Sequence, residues 1–407
     1  MTLRAAAEVN LAAIERNTAR IHRLVRDHHL GHHVRVCAVV KADGYGHGAA
    51  WAARAALAGG AEMLAVATAA EARKLRENGL DAPVLVLGAI SAEELPVALA
   101  AGAELVAWDR GFIAMLCRAA AARSSSSSGA AGAGCDNPAG RTAARALSAA
   151  PVAVHVKLDS GLGRLGTRSA DEALGLIHAI IDAGPQLSLA GVMTHLATAD
   201  HDHHYARLQL TAFAPLVAQA RALARTDIVA HAANSAGALL LPESRFDMVR
   251  PGIALYGCDP RNTDAAEFGL EPALALRSYV AAVKPIAAGE STGYGRLFIA
   301  EQDSCIATLP IGYGDGLPRA LANNCDVLIG GRRYPLRGMV SMDNITVDVG
   351  PSPAVRPGDA ATLIGTDGAE HQSAEDLARR AGTISYEILC GISARVPRVY
   401  HRDGHPV

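Results

Sequence analysis

The stretch "VRVCAVVKADGYGHG", residues 34–48, joins an unbroken apolar run to a lysine and then to a turn holding three glycines. β-Branched residues dominate the run and nothing in it alternates, which is the pattern of a strand buried on both faces. Lys41 stands at its C-terminal end. A lysine there either closes the strand at the surface or is delivered by it to a site, and the rest of the chain decides between the two.

Seven further runs of the same texture follow within the first 255 or so residues, at 63–67, 84–88, 104–108, 152–158, 190–195, 228–233 and 247–250. Alanine-rich segments with helical patterning separate most of them. One is "TAAEARKLRENG" (68–79), with a glycine as its stop signal. Eight short buried strands alternating with helices predict an α/β fold, a parallel (β/α)8 barrel over residues 10–258. An open doubly wound sheet of eight strands would be unusually wide. One segment breaks the rhythm: "RAAAARSSSSSGAAGAGCDNPAGRTAARA" (118–146) is Ala, Ser and Gly with little apolar surface. It reads as a mobile insertion, about 119–146, within one domain.

Beyond residue 260 the texture changes to short alternating runs punctuated by Gly and Pro, which predicts a mostly-β second domain over 259–407, with residues 1–9 pairing into it. "IGGRRYP" (329–335) reads as a hairpin on a Gly-Gly turn. "SAEDLARRAG" (373–382) reads as a helix opened by a Ser373/Asp376 capping box.

Composition narrows the class. The 407 residues are 50% hydrophobic and 19% charged, so the chain is globular, and a formal net charge of −2 offers no attraction for nucleic acid or an anionic membrane. Seven scattered cysteines without a C-x-x-C pair suit free thiols in a reducing compartment. The first residues show no signal-peptide core, and no apolar run spans a bilayer. A cytoplasmic address is expected.

The mouth of a β/α barrel lies at the C-terminal ends of its strands. Reading those ends gives Lys41, then Lys157 and Asp159 followed by Arg164, then Thr194 and His195, then Asn234 and Ser235, then Arg250 followed by Gly252 and Ile253. Ionisable residues gather at the ends, while strand interiors are expected to stay apolar. The loops "NSAG" (234–237) and "RPGIALYG" (250–257) follow the last two strands, where this fold usually cradles phosphate. A lysine beside a phosphate site suggests a Schiff base with pyridoxal 5′-phosphate. Three "GYG" triplets present Tyr45, Tyr294 and Tyr313 on flexible backbone. "HHLGHH" (28–33) and "DHDHH" (200–204) read as solvated loops, so no metal is assigned. Cys37 reads as a small core residue.

Taken together, "AVVKADGYGHG", "KLDSGLGRLG", "THLATAD", "HAANSAGAL", "MVRPGIALYG", "GYGRLF", "PIGYGDGLPR", "VSMDNITVD" and "ISYEILCGISARVPRVY" resemble the bacterial alanine racemases over nearly the whole chain. The serine-rich insertion departs from that family's pattern. The resemblance implies an isomerase that interconverts L- and D-alanine, a precursor of peptidoglycan, as a cytoplasmic homodimer with pyridoxal phosphate. By the same resemblance Lys41 holds the cofactor and serves as base on one face of the substrate. Tyr294, from the partner subunit, is the base on the other. Tyr45, Ser235, Gly252, Ile253 and Tyr386 match phosphate-binding positions, with Asn234 beside them. Arg250 matches the residue that meets the pyridine nitrogen, and His195 the link between Arg250 and Tyr294. Arg164, Met342 and Tyr313 match substrate-side positions, Arg164 also lying near the cofactor's phenolic oxygen. Lys157 is either carbamylated, as its counterpart in the family often is, or paired with an acid such as Asp159.

Two other functions share parts of this plan. Amino-acid decarboxylases with a barrel and a β domain place an acid before "PG" to keep the pyridine nitrogen protonated, whereas this chain has "RPG", and arginine is a permanent cation. Non-catalytic pyridoxal phosphate-binding barrels lack a second domain.

Overall fold

The computed structural model describes residues 3–27, 33–127, 150–224 and 227–407. They form two compact units, one built from Thr18–Lys41 and Ala56–Gly252, the other from Met1–Asn17, Ala42–Ala55 and Ile253–Val407. In chain order the first ten strands are β1 (Ala5–Asn10), β2 (Arg35–Val39), β3 (Met63–Val66), β4 (Val84–Val86), β5 (Glu104–Ala107), β6 (Val152–Lys157), β7 (Leu187–Met193), β8 (Val229–His231), β9 (Met248–Val249) and β10 (Leu274–Tyr279).

Strands β2 to β9 make the first unit an eight-stranded parallel sheet in which each strand pairs with the next up to β8, and β9 returns to β2 with Arg35 opposite Met248. β8 and β9 form no ladder, but the Asp247 amide donates to Ala230 O (3.0 Å) and the Arg250 amide to Ala233 O (2.9 Å), which completes the circle. This is the barrel that the eight apolar runs predict. Met63–Val66 and Val84–Val86 are buried at every residue, as strands covered on both faces must be. The helix Ala69–Glu77 starts at Thr68, whose hydroxyl accepts from the Glu71 amide in a reciprocal capping box.

Two loop expectations are corrected. The helix after β5 runs from Arg110 through Ser127, so the segment read as a mobile loop from residue 118 opens in helix. A run of alanines is the best helix-forming sequence, and it outweighs the serines that follow. The remainder of that insertion lies outside the described residues. The "DHDHH" segment is likewise only partly loop: Asp202 accepts from the Tyr205 amide at 3.0 Å and caps the helix His203–Leu223, whose first turn holds His203 and His204.

In the second unit β1 lies between β10, antiparallel with Ala7 opposite Leu276, and the strand Arg398–Arg402, parallel with Ala7 opposite Arg398. The two ends of the chain thus share a sheet. The hairpin of Asp326–Ile329 and Arg332–Pro335 turns on Gly330 and Gly331 at φ 60° and 73°, the left-handed pair that a two-residue turn requires. Ser373 and Asp376 cap the helix Ala374–Ala381 reciprocally, and Gly382 ends it at φ 71°. A short hairpin, Ser291–Thr292 with Phe298–Ile299, carries Tyr294 on its loop.

The turn after Lys41 is the most constrained backbone in this unit. Ala42, Asp43, Gly44 and Tyr45 all sit at φ 51–65°, a left-handed coil closed by the Gly46 amide on Ala42 O (3.0 Å) and the Gly48 amide on Asp43 O (2.8 Å). Each L-residue there costs on the order of 1 kcal/mol, so packing must hold the turn. The glycines allow that packing: a Cβ on Gly46 would lie 2.4 Å from Leu389 O, and one on Gly48 2.0 Å from the Tyr400 hydroxyl. Arg398 Nε also donates to Gly46 O at 2.9 Å. Gly46→Ala is therefore expected to lower the free energy of unfolding by about 2 kcal/mol or more, read from the urea midpoint. An unchanged midpoint would refute the close-approach account of this glycine.

Candidate active site

Parallel strands bring all their C-terminal ends to one face of a barrel, so five loops converge there in the first unit. β2 delivers Lys41. β6 ends at Lys157, followed by Asp159 and the exposed Arg164. Thr194 and His195 follow β7, Asn234 and Ser235 follow β8, and Arg250 to Gly252 follow β9. Lys157 is buried, and its amine is pushed down to about 8, by burial first and then by Arg250 and Arg164, with Lys41 adding less and Asp159 opposing. Asp159 is itself engaged by the backbone, accepting from the amides of Gly161 (3.1 Å) and Gly163 (3.0 Å).

Arg250 is buried and its guanidinium is enclosed by acceptors. Nη1 meets His231 Nδ1 at 2.6 Å. Nη2 reaches Thr194 O at 2.9 Å, Ala232 O at 3.2 Å and His195 Nδ1 at 3.2 Å. A guanidinium can only donate, so both Nδ1 atoms accept and each imidazole carries its proton on Nε2. Burial lowers Arg250 to about 10, which leaves it cationic at neutral pH. His195 is held well below the ordinary histidine range by burial and then by Arg250, Lys157, Arg164 and Lys41, and is neutral. His231 is depressed in the same way. Burial raises the Cys37 thiol to about 12, in keeping with a core residue.

The expectation of apolar strand interiors fails within two of the runs read as strands, 152–158 and 228–233. His155 lies within β6 and His231 at the end of β8, both buried, and they meet through Nδ1 and Nε2 at 2.9 Å. His155 Nε2 reaches the Glu104 carboxylate at 2.7 Å. The sequence reading missed all three. The available signal was a histidine interrupting each of the runs "VAVHVKL" and "IVAHAA".

The remaining predicted residues stand in the second unit and form two groups. Tyr45, Tyr256 and Tyr386 cluster, with ring centroids 5.0 and 6.0 Å from that of Tyr45, whose buried phenol is raised above its ordinary value. Ile253 is buried. The second group is exposed. The amides of Tyr313 and Gly314 donate to Ser341 O and Met342 O, each at 2.9 Å, which sets Tyr313 beside Met342. Tyr294 borders an open cavity of about 600 Å³ with Met339 and Ser341. Tyr294, Met342 and Tyr313 are 74%, 51% and 42% exposed, much apolar surface for one edge of a folded unit.

The barrel-unit cluster suits an anionic ligand. Lys41, Arg164 and Arg250 all act on Lys157, and Asp159 is the carboxylate that answers them there. Beside them the helix Ser235–Leu240 begins with Asn234 accepting from the Gly237 amide (2.9 Å), and Ser235 Oγ accepts from the Gly252 amide (2.9 Å). Cations, a buried hydroxyl and a helix start are the donor set that a phosphorylated cofactor requires.

Comparison with known proteins gives this geometry its family. Residues 9–260 match the family model "Alanine racemase, N-terminal domain" and residues 273–400 match "Alanine racemase, C-terminal domain". An alanine racemase of Symbiobacterium thermophilum is 41% identical over 97% of this chain and 96% of its own length, and alanine racemase 1 of Bacillus subtilis is 37% identical over 98% and 93%. Among solved structures, the alanine racemase of a D-cycloserine-producing Streptomyces lavendulae superposes with TM-score 0.87 at 32% identity, covering 98% of each chain. That of Bacillus anthracis with bound L-Ala-P gives TM-score 0.83 at 33% identity, covering 100% of this chain and 97% of that one. The chain belongs to the alanine racemase family, and is accordingly an isomerase. Among the described residues no helix is long and apolar enough to cross a membrane.

The depressed Lys157 amine makes stability depend on pH. The unfolded chain keeps this amine charged up to its ordinary 10.5, whereas the folded chain releases the proton near 8. The penalty for burying the charge is full below pH 8 and fades as pH rises to 10.5. In CO2-free buffer the wild type should gain about 3 kcal/mol of unfolding free energy relative to Lys157→Met across that window. Parallel pH profiles for the two proteins would refute the buried-charge assignment.

Proposed function

We propose that the chain interconverts L- and D-alanine by a two-base mechanism with pyridoxal 5′-phosphate, acting in the cytoplasm as a homodimer that supplies D-alanine for peptidoglycan. Family membership supports the reaction class, and the cluster of cations at Lys157, to which Lys41, Arg164 and Arg250 belong, is the observation that carries the cofactor reading. In this reading the barrel domain spans 10–258 and the mostly-β domain 259–407. When bound, pyridoxal phosphate supplies a conjugated ring that takes up the electron pair left at the substrate Cα.

The chain's own residues do the rest. Lys41 would hold the cofactor and move the proton on one face of Cα. Tyr294, supplied by the partner subunit, would move it on the other, since inversion requires removal and delivery on opposite faces. Tyr45, Ser235, Gly252, Ile253 and Tyr386 would hold the phosphate, with Asn234 capping the helix that begins at Ser235. Arg250 would donate to the ring nitrogen and, being cationic, keep that nitrogen unprotonated. His195 accepts from Arg250 at Nδ1, so its Nε2 proton is the one available to the Tyr294 oxygen. Arg164, Met342 and Tyr313 would face the substrate.

Lys157 would carry a carbamate. An amine lowered to about 8 offers enough neutral nucleophile at physiological pH to add CO2, and the resulting anion would relieve repulsion from Arg164, Arg250 and Lys41. Protein equilibrated with 13C-bicarbonate should show a carbamate carbon resonance that disappears in Lys157→Met. A resonance common to both proteins would assign it elsewhere.

Two substitutions test the mechanism. Lys41→Ala should abolish both racemisation and the cofactor's visible absorbance. Tyr294→Phe should suppress solvent exchange of the α-proton from one enantiomer of alanine far more than from the other, because one base remains. Equal loss of exchange from both enantiomers would show that Tyr294 positions the substrate and moves no proton.

A further inference from the structure

The chain Arg250–His231–His155–Glu104 runs through the barrel interior, and beyond Arg250 none of its members is used in a step proposed above. Its three contacts are 2.6, 2.9 and 2.7 Å. His155 and His231 are buried, with rings perpendicular at 80°, and the Glu104 side chain retains about a quarter of its exposure at the start of β5, opposite the strand ends that carry Arg250.

We propose that Glu104 is a positioning residue for the reaction, the anionic terminus of a one-way hydrogen-bond chain whose tautomers Arg250 dictates, and that it holds His155, and through it His231 and Arg250, in orientation. The inference rests on the reading of Arg250 as the residue that meets the cofactor ring. Arg250 has only donors, so His231 accepts at Nδ1 and donates from Nε2. His155 then accepts at Nδ1 and donates from Nε2 to a carboxylate, which accepts and ends the chain. No other arrangement of these protons satisfies all three contacts.

The chain answers an electrostatic need. Among the described residues Arg250 forms no ion pair with a carboxylate, and a buried cation without a counter-ion is costly. Two polarised imidazoles pass part of the Glu104 charge to it, since hydrogen bonds in series strengthen one another at low dielectric. Room for the pair is reserved by Gly191 in β7, where a Cβ would lie 2.6 Å from His155 Nδ1 and 2.3 Å from Val229 O. Packing alone would need only the volume of two rings. Orientation needs an acceptor at residue 104.

The test uses holoenzyme labelled with 15N in its histidines. Wild type should show both His155 and His231 protonated at Nε2. Glu104→Leu should leave His231 protonated at Nε2, as Arg250 dictates, but remove the acceptor of the His155 Nε2 proton, so the His155 15N signals should shift to those of an imidazole without that hydrogen bond, and kcat should fall about tenfold, the worth of one charge-assisted hydrogen bond, with KM nearly unchanged. Glu104→Gln keeps an acceptor oxygen, and should restore the His155 signals and most of kcat. A wild-type spectrum with either imidazole protonated at Nδ1 overturns the proposal, whatever the variants do. So does a Glu104→Leu protein with the wild-type His155 signals and kcat, or a Glu104→Gln protein that restores neither. Absence of racemisation in the wild type would instead defeat the catalytic reading and leave the tautomer result standing.

Discussion

A guanidinium buried at the end of β9 must have its donors met, and that requirement organises the barrel mouth. Arg250 meets it with two carbonyls and two imidazoles, Thr194 O, Ala232 O, His195 and His231. Because arginine cannot accept, those bonds dictate neutral histidines with protons on Nε2. The cation also sets the field around it. It contributes to the lowering of Lys157 and of His195, so apart from Asp159, whose carboxylate is taken up by backbone amides, the ionisable groups near these strand ends are positive or neutral, and an anionic ligand finds little to repel it. A carboxylate beside Arg250 would satisfy the charge more cheaply and cancel that field. Placing Glu104 two imidazoles away supports the guanidinium while leaving the mouth positive.

In the second unit the corresponding constraint is steric. Four consecutive left-handed residues follow Lys41, and three of them are not glycine. Such a turn persists only when neighbours over-determine it. Leu389, Arg398 and Tyr400 do so, at distances that leave no room for a Cβ on Gly46 or Gly48. The turn places the buried Tyr45 ring against Tyr256 and Tyr386, a cluster of fixed geometry reached from a strained loop. By contrast, Tyr294, Tyr313 and Met342 rise from loops tied by backbone bonds and present their side chains outward. The homodimer proposed above would cover that exposed apolar edge.

The sequence by itself determined the elements whose causes are local. Eight apolar runs became eight barrel strands because uniform burial demands uniform apolarity over a few consecutive residues. The Ser373 cap, the Gly330–Gly331 turn and the strand-end placement of Lys41, Lys157, His195 and Arg250 follow from signals within a few positions of one another. Tertiary structure decided what depends on distant partners. Glu104 lies 51 residues from His155, and His155 lies 76 from His231, so nothing in either run announces that its lone histidine will find a partner. The helical start of the serine-rich segment also escaped the reading, since alanine propensity and loop-like composition point in opposite directions there. Charge states belong to the same class. Lysine titrates alike in any unfolded sequence, and only the burial and neighbouring cations assembled by the closed barrel bring Lys157 down to about 8.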